Sequence, residues 1–175
     1  PQIRSLESYM KETVEKEDFS AMKSLSRHAE QFLTHEELLN EESASTLRGE
    51  LGCIYYYLRH STKAKELLTE SLLKLKQCCG DKHHEIAHFL VYLGNAHRGL
   101  GDYEEAKKLF EQSMQIYTKY APRDVGMARA SGYLGAVYHI FGDFEEAKTY
   151  LERAQNIYKK HPQNRVGVAW SLAHL

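Results

Sequence analysis

A chain of 175 residues with 42% apolar and 27% charged side chains can bury a substantial core, which excludes a disordered chain. Lys plus Arg (23) and Asp plus Glu (24) nearly cancel to a formal charge of -1, so bulk charge selects neither nucleic acid nor a membrane surface as a partner. No apolar run approaches the roughly 18 residues of a membrane span and no signal peptide opens the chain, while Cys53, Cys78 and Cys79 fit neither a disulfide framework nor a thiolate zinc site, so a cytoplasmic protein without cofactors is expected.

Apolar residues recur at helical rather than alternating spacing, which predicts an all-α chain. Internal repetition organises it. Tyr92-Leu93-Gly94 returns as Tyr133-Leu134-Gly135, and Gly101-Asp102-Tyr103-Glu104-Glu105-Ala106-Lys107 returns as Gly142-Asp143-Phe144-Glu145-Glu146-Ala147-Lys148, both at an offset of 41. In chain order, residues 3–40 form a degenerate first hairpin, in which Asp18 and Met22 answer His60 and Ala64 at an offset of 42. Residues 44–80 follow, with Leu51-Gly52 and Ala64 in the shared slots and a turn, Arg59-His60-Ser61, that lacks glycine. Cys78 and Cys79 close the second helix of this unit, where the helix dipole raises a thiol pKa and disfavours a nucleophilic role.

The next stretch contains His84-Glu85-Ile86-Ala87-His88, an H-E-x-x-H pattern in which two histidines one turn apart bind zinc and the glutamate acts as base. It sits at an inter-repeat turn, no third ligand is evident, and the following repeat carries no histidine pair. A zinc metalloprotease built on His84, Glu85 and His88 is therefore a distant alternative, and no catalytic or metal-binding residues are assigned. Residues 84–121 and 125–161 are the two clearest repeats. A truncated repeat begins at 165, where Val166, Val168, Trp170 and Leu172 would leave an apolar side uncovered; this end could support self-association. With Pro1 at its start and a helical pattern still running at Leu175, the chain reads as a segment of a longer protein.

The repeated residues have mechanical reasons. Gly52, Gly94 and Gly135 lie inside helical patterns, where glycine costs about 1 kcal/mol relative to alanine, so a second helix is expected to pass too close for a Cβ. Ala64, Ala106 and Ala147 supply the small partner surface. Gly101 and Gly142 suit the left-handed end of one helix; Asp102 and Asp143 are expected to cap the next, with Glu105 and Glu146 completing a capping box. Phe110, Ser113, Ile116 and Tyr117 match Leu151, Ala154, Ile157 and Tyr158 as a buried stripe, and Tyr55 and Tyr138 join the core, with His97 in their slot.

This succession of Leu-Gly, aromatic, Gly, Ala and small residues resembles the tetratricopeptide repeat, over residues 44–175. The usual unit is about 34 residues, and the longer spacing here is similar to that of kinesin light chains and of repeat-bearing signalling ATPases. The resemblance implies a right-handed superhelical solenoid of antiparallel helix hairpins whose concave face is lined by the first helix of each pair. It also implies a protein–protein interaction module, an adaptor or scaffold that holds a protein or peptide in that groove and is not an enzyme. The alternative is an oligomerisation or sensor segment of a larger signalling protein.

Helical phase then selects the groove residues. His88, Val91, Tyr92, Asn95, Arg98 and Gly99 fall on the open side of one helix, Arg129, Gly132, Tyr133, Ala136, His139 and Ile140 on that of the next. The preceding helix offers Thr46, Gly49, Glu50, Cys53, Tyr56 and Tyr57, the last one Trp170, Ala173 and His174. From the first two sets, His88, Tyr92, Asn95, Arg98, Arg129, Tyr133 and His139 are the candidate ligand-binding residues. The resemblance assigns Asn95 to peptide main chain. Arg98 and Arg129 suit carboxylates, and the tyrosines suit apolar side chains, so a ligand with acidic and apolar side chains is expected.

Overall fold

The computed structural model describes residues 2–35, 39–80 and 84–161, with the side chains of residues 2–4 and 84 outside that description. These residues form helices α1 (Gln2–Glu15), α2 (Phe19–Leu33), α3 (Glu41–Tyr57), α4 (Ser61–Cys79), α5 (His84–Gly99), α6 (Tyr103–Tyr120), α7 (Val125–Phe141) and α8 (Phe144–Tyr158). The truncated repeat expected from 165, with His174 and Trp170, lies outside the described residues.

Consecutive helices pair as hairpins, each packing next on the hairpin that follows. The odd-numbered helices also touch their odd-numbered neighbours, α1 on α3, α3 on α5 and α5 on α7, which places them on one inner layer of the stack. In the first hairpin both helices pack more extensively on α3 than on each other. Its weak internal pairing agrees with its faint sequence echo.

One backbone device makes all four turns. The amides of Asp18, His60, Asp102 and Asp143 each donate to the carbonyl five residues back, on Thr13, Tyr55, His97 and Tyr138, at 3.2, 2.9, 3.0 and 3.0 Å. The residue before each is left-handed: Glu17 at φ 52°, Arg59 at 65°, Gly101 at 85° and Gly142 at 84°. This is the six-to-one closure that ends a helix and aims the chain back along it. The first two hairpins adopt it although their sequence supplies no glycine.

The helix-interior glycines do mark close approach. A Cβ on Gly52 would lie 2.7 Å from Leu68 Cγ, one on Gly94 2.6 Å from Phe110 Cε1, and one on Gly135 2.9 Å from Leu151 Cγ. The contacting side chain is thus the residue four beyond each recurring alanine, and Ala64, Ala106 and Ala147 are buried beside it. Hydroxyls fasten the same layer: Ser71 Oγ donates to Ser45 O at 2.6 Å and Ser113 Oγ to Ala87 O at 2.7 Å. The fourth hairpin has Ala154 and Ala128 in these slots, in apolar contact.

The expected caps are corrected. Asp102 and Asp143 stand at the N-cap positions, yet neither side chain caps its helix. Asp102 Oδ2 instead accepts from His97 Nδ1 at 2.9 Å, and this bond holds its carboxyl below the usual range. Caps form at Asp18, Asn40 and Asp124, which accept from Ala21, Ser43 and Gly126 amides at 3.0, 2.8 and 2.6 Å. Tyr55, Tyr117 and Tyr158 are buried as expected, whereas Tyr138 is half-buried and stacks on Tyr150 with ring centres 5.4 Å apart.

Candidate functional site

The inner layer encloses a cavity of about 610 Å³. Lys11, Val14, Glu15 and Lys16 of α1 form one wall, Glu85, His88 and Tyr92 of α5 the floor, and Arg123 through Gly126 with Arg129 the far side; Tyr117 and His161 complete the lining. His161 Nε2 donates to Arg123 O at 3.0 Å and so ties the chain after α8 to the start of α7.

Arg129 is the central cation. Half-buried, it donates from Nη1 to the Tyr92 hydroxyl at 3.0 Å, and its guanidinium lies 5.7 Å from the centre of that ring. Tyr92 in turn sits 3.4 Å, hydroxyl to hydroxyl, from Tyr57. The field of Tyr92 raises the Arg129 pKa above its ordinary value, with Tyr57 and Tyr133 adding to it, while burial drives the Tyr92 and Tyr133 phenols well above theirs. Among the described residues Arg129 has no carboxylate partner. A cation held by neutral aromatic rings in a cleft is open to an incoming carboxylate.

Arg98 forms a second cationic unit. Its Nε donates to Asn95 Oδ1 at 3.2 Å, and its guanidinium rests 5.5 Å from the Tyr133 ring centre. Asn95 is fully buried beneath it, with Nδ2 making no hydrogen bond. His88 packs on Tyr92 with ring centres 4.9 Å apart. His139 stands apart from these, exposed and edge-on to Phe144.

The placement of several residues differs from the phase-based expectation. Tyr92 is 1% exposed and Asn95 0%, and Val91, Gly132 and Ala136 are buried rather than presented on the open side. In α3 every residue from Ala44 to Tyr55 is buried, including the slots of Thr46, Gly49, Glu50 and Cys53. The physical reason is that an inner helix is packed by its own partner, by the preceding outer helix and by its inner neighbours, so one turn offers little free surface. Arg98, Arg129, Tyr133 and His88 keep partial exposure.

The sequence reading missed α1. Lys11 Nζ donates to Glu85 Oε1 at 2.8 Å and lies 3.7 Å from Glu50 Oε1, so it crosses from the first hairpin to α3 and α5. Burial works against the Lys11 charge, but Glu50 and Glu85 outweigh it and raise its pKa. Glu50 itself, buried in the layer, is pushed up to about 8. Its standing as the only acid among the open slots was the available signal. The H-E-x-x-H pattern does not assemble as a unit among the described side chains: His84 lies outside them, Glu85 is taken by Lys11, and His88 faces Cys53, with Nε2 4.0 Å from Sγ.

Comparison with known proteins agrees with this architecture. No curated protein matches the chain. The tetratricopeptide repeat family model matches residues 85–160. Among solved structures, a Podosopora anserina protein named for kinesin light chain, with nearly identical TPR-like repeats, aligns with a TM-score of 0.74 at 20% identity, over 99% of this chain and 86% of that one. BtubC (BKLC) from P. vanneervenii aligns with a TM-score of 0.70 at 23% identity over 82% of this chain, which spans only 59% of that protein. MamA aligns with a TM-score of 0.62 at 17% identity, covering 92% and 81%. Among the described residues no helix is long and apolar enough to cross a membrane. Residues 85–160 thus match the tetratricopeptide repeat family, and the described hairpins stack in the solenoid fold shared with these kinesin light chain-like structures.

Proposed function

We propose that the protein acts by binding rather than catalysis, as a scaffold that holds a peptide or protein segment along the inner layer, with Arg129 as the anchor for an acidic side chain. The observation that carries this reading is Arg129 itself, a guanidinium at the wall of a 610 Å³ cleft, held by Tyr92 and without a carboxylate partner among the described residues. Arg98, spread over Tyr133, supplies a second cation with an apolar surface beneath it. Asn95 Nδ2 has no hydrogen bond, and a ligand carbonyl that displaced Arg98 would satisfy it. Acidic residues separated by apolar ones therefore complement the surface. Tyr92, Tyr133 and His88 are the apolar bed in this reading, and His139 lies at its margin.

Peptide display against the purified protein tests this. Enriched peptides should combine Asp or Glu with large apolar residues. An Arg98→Glu, Arg129→Glu double variant should weaken the best of them by roughly 10-fold or more, whereas Lys63→Glu, on α4, should leave affinity unchanged. Equal affinity of wild type and the double variant would overturn the proposal.

A further inference from the structure

Beneath the groove wall, three side chains of metal-ligand type converge. Glu50 and Cys53, one turn apart on α3, are both fully buried, and His88 reaches them from α5. One carboxylate oxygen, Sγ and one imidazole nitrogen all lie within 4.8 Å of one another, with Cys53 Sγ 4.0 Å from His88 Nε2. Neither oxygen of Glu50 has a hydrogen bond. Lys11 Nζ lies 3.7 Å from it, beyond hydrogen-bond reach, and donates to Glu85. A carboxyl buried without hydrogen bonds is an expensive group that an apolar residue of similar volume would replace with gain, so its position asks for a ligand.

We propose that Glu50, Cys53 and His88 form a zinc-binding site that ties the second hairpin to the third. Zinc fits the donor set: a thiolate and an imidazole disfavour magnesium and calcium, which take oxygen ligands, and one sulfur, one nitrogen and one oxygen donor suit a borderline-soft ion. Geometry fits as well. With bonds of about 2.0–2.3 Å, donors around a tetrahedral zinc stand roughly 3.5 Å apart, so a closure of about an ångström by side-chain rotation completes the set. Sγ binds as the thiolate and Glu50 as the carboxylate, each giving its proton to solvent; water or a ligand group takes the fourth position, and Lys11 keeps Glu85. This set uses His88 but neither His84 nor Glu85; it shares His88 with the groove, yet none of its argument rests on the peptide-binding proposal.

Cobalt titration of reduced, chelator-treated protein tests it. One equivalent of Co²⁺ should saturate the protein, produce a thiolate-to-cobalt charge-transfer band, and be displaced by Zn²⁺. Cys53→Ser should abolish the band. Glu50→Gln and His88→Ala should each weaken binding by more than the roughly 10–100-fold that loss of an outer partner brings. A Cys78→Ser, Cys79→Ser double variant should keep both the band and the stoichiometry. Because the buried Cys53→Ser change could disturb folding, zinc should also raise the Tm of wild type and leave that of the half-exposed His88→Ala unchanged. Absence of the band in wild type, its survival in Cys53→Ser with loss in the Cys78 and Cys79 double variant, or no rise in Tm with zinc would each overturn the proposal.

Discussion

Arg59 occupies the turn slot that Gly101 fills one hairpin later, and both are left-handed, at φ 65° and 85°. A residue with a Cβ pays about 1–2 kcal/mol for that conformation, which glycine adopts freely. Arg59→Gly should therefore stabilise the protein by about 1 kcal/mol, less a few tenths for added freedom of the unfolded chain. Gly101→Ala should destabilise it by about 1–2 kcal/mol. Urea unfolding monitored by circular dichroism checks both, and a less stable Arg59→Gly would contradict the equivalence of the two slots.

Gly94 lies where a Cβ would come within 2.6 Å of Phe110 Cε1, so Gly94→Ala must push a fully buried ring. The expected loss is about 1–3 kcal/mol. Phe110→Ala is itself costly, but the double variant should be about 1 kcal/mol more stable than the sum of the two single losses, because the small residue receives the new methyl group. Strict additivity in the double-mutant cycle would show that the glycine is present for another reason.

Glu30 joins the first hairpin to the second through Lys63 Nζ and the Tyr55 hydroxyl, each at 2.5 Å. The hydrogen bond from Lys63, then that from Tyr55, lowers its pKa below the ordinary carboxylate value. A depressed folded pKa means that the stabilisation is fully present above about pH 4.5 and is lost as pH falls through the folded value. Because the Glu30 side chain is 41% exposed, solvent screening limits the effect to about 0.5 kcal/mol. Wild type should exceed Glu30→Gln by this amount near pH 7, and the gap should close between pH 5 and 3. A gap that persists at pH 3 would remove the carboxylate from the explanation.

Much of the fold was legible because a hairpin is written locally. The offset of 41 to 42 residues, the glycines at 52, 94 and 135, and the left-handed positions at 101 and 142 depend on contacts within one unit, and such contacts repeat with the unit. The cap expectation failed for Asp102 for a related reason: its competitor, His97, sits five residues earlier across the turn, and the sequence does not say which partner a carboxylate will choose. The candidate groove was legible only in part. Helical phase identified Arg98 and Arg129 but treated each inner helix as having one buried side, whereas the solenoid covers it from three directions and buries Tyr92 and Asn95.

By itself, the amino-acid sequence determined that this protein is a stack of helical hairpins, where each turn falls, and which small residues let helices approach. Tertiary structure alone decided that Lys11 reaches Glu85, that Arg129 rests on Tyr92, and that Glu50, Cys53 and His88 meet. The reason is range. Turn closure and apolar periodicity act over a few residues, but those meetings join side chains 35 to 74 positions apart, and their geometry follows from the curvature accumulated as one hairpin packs on the next.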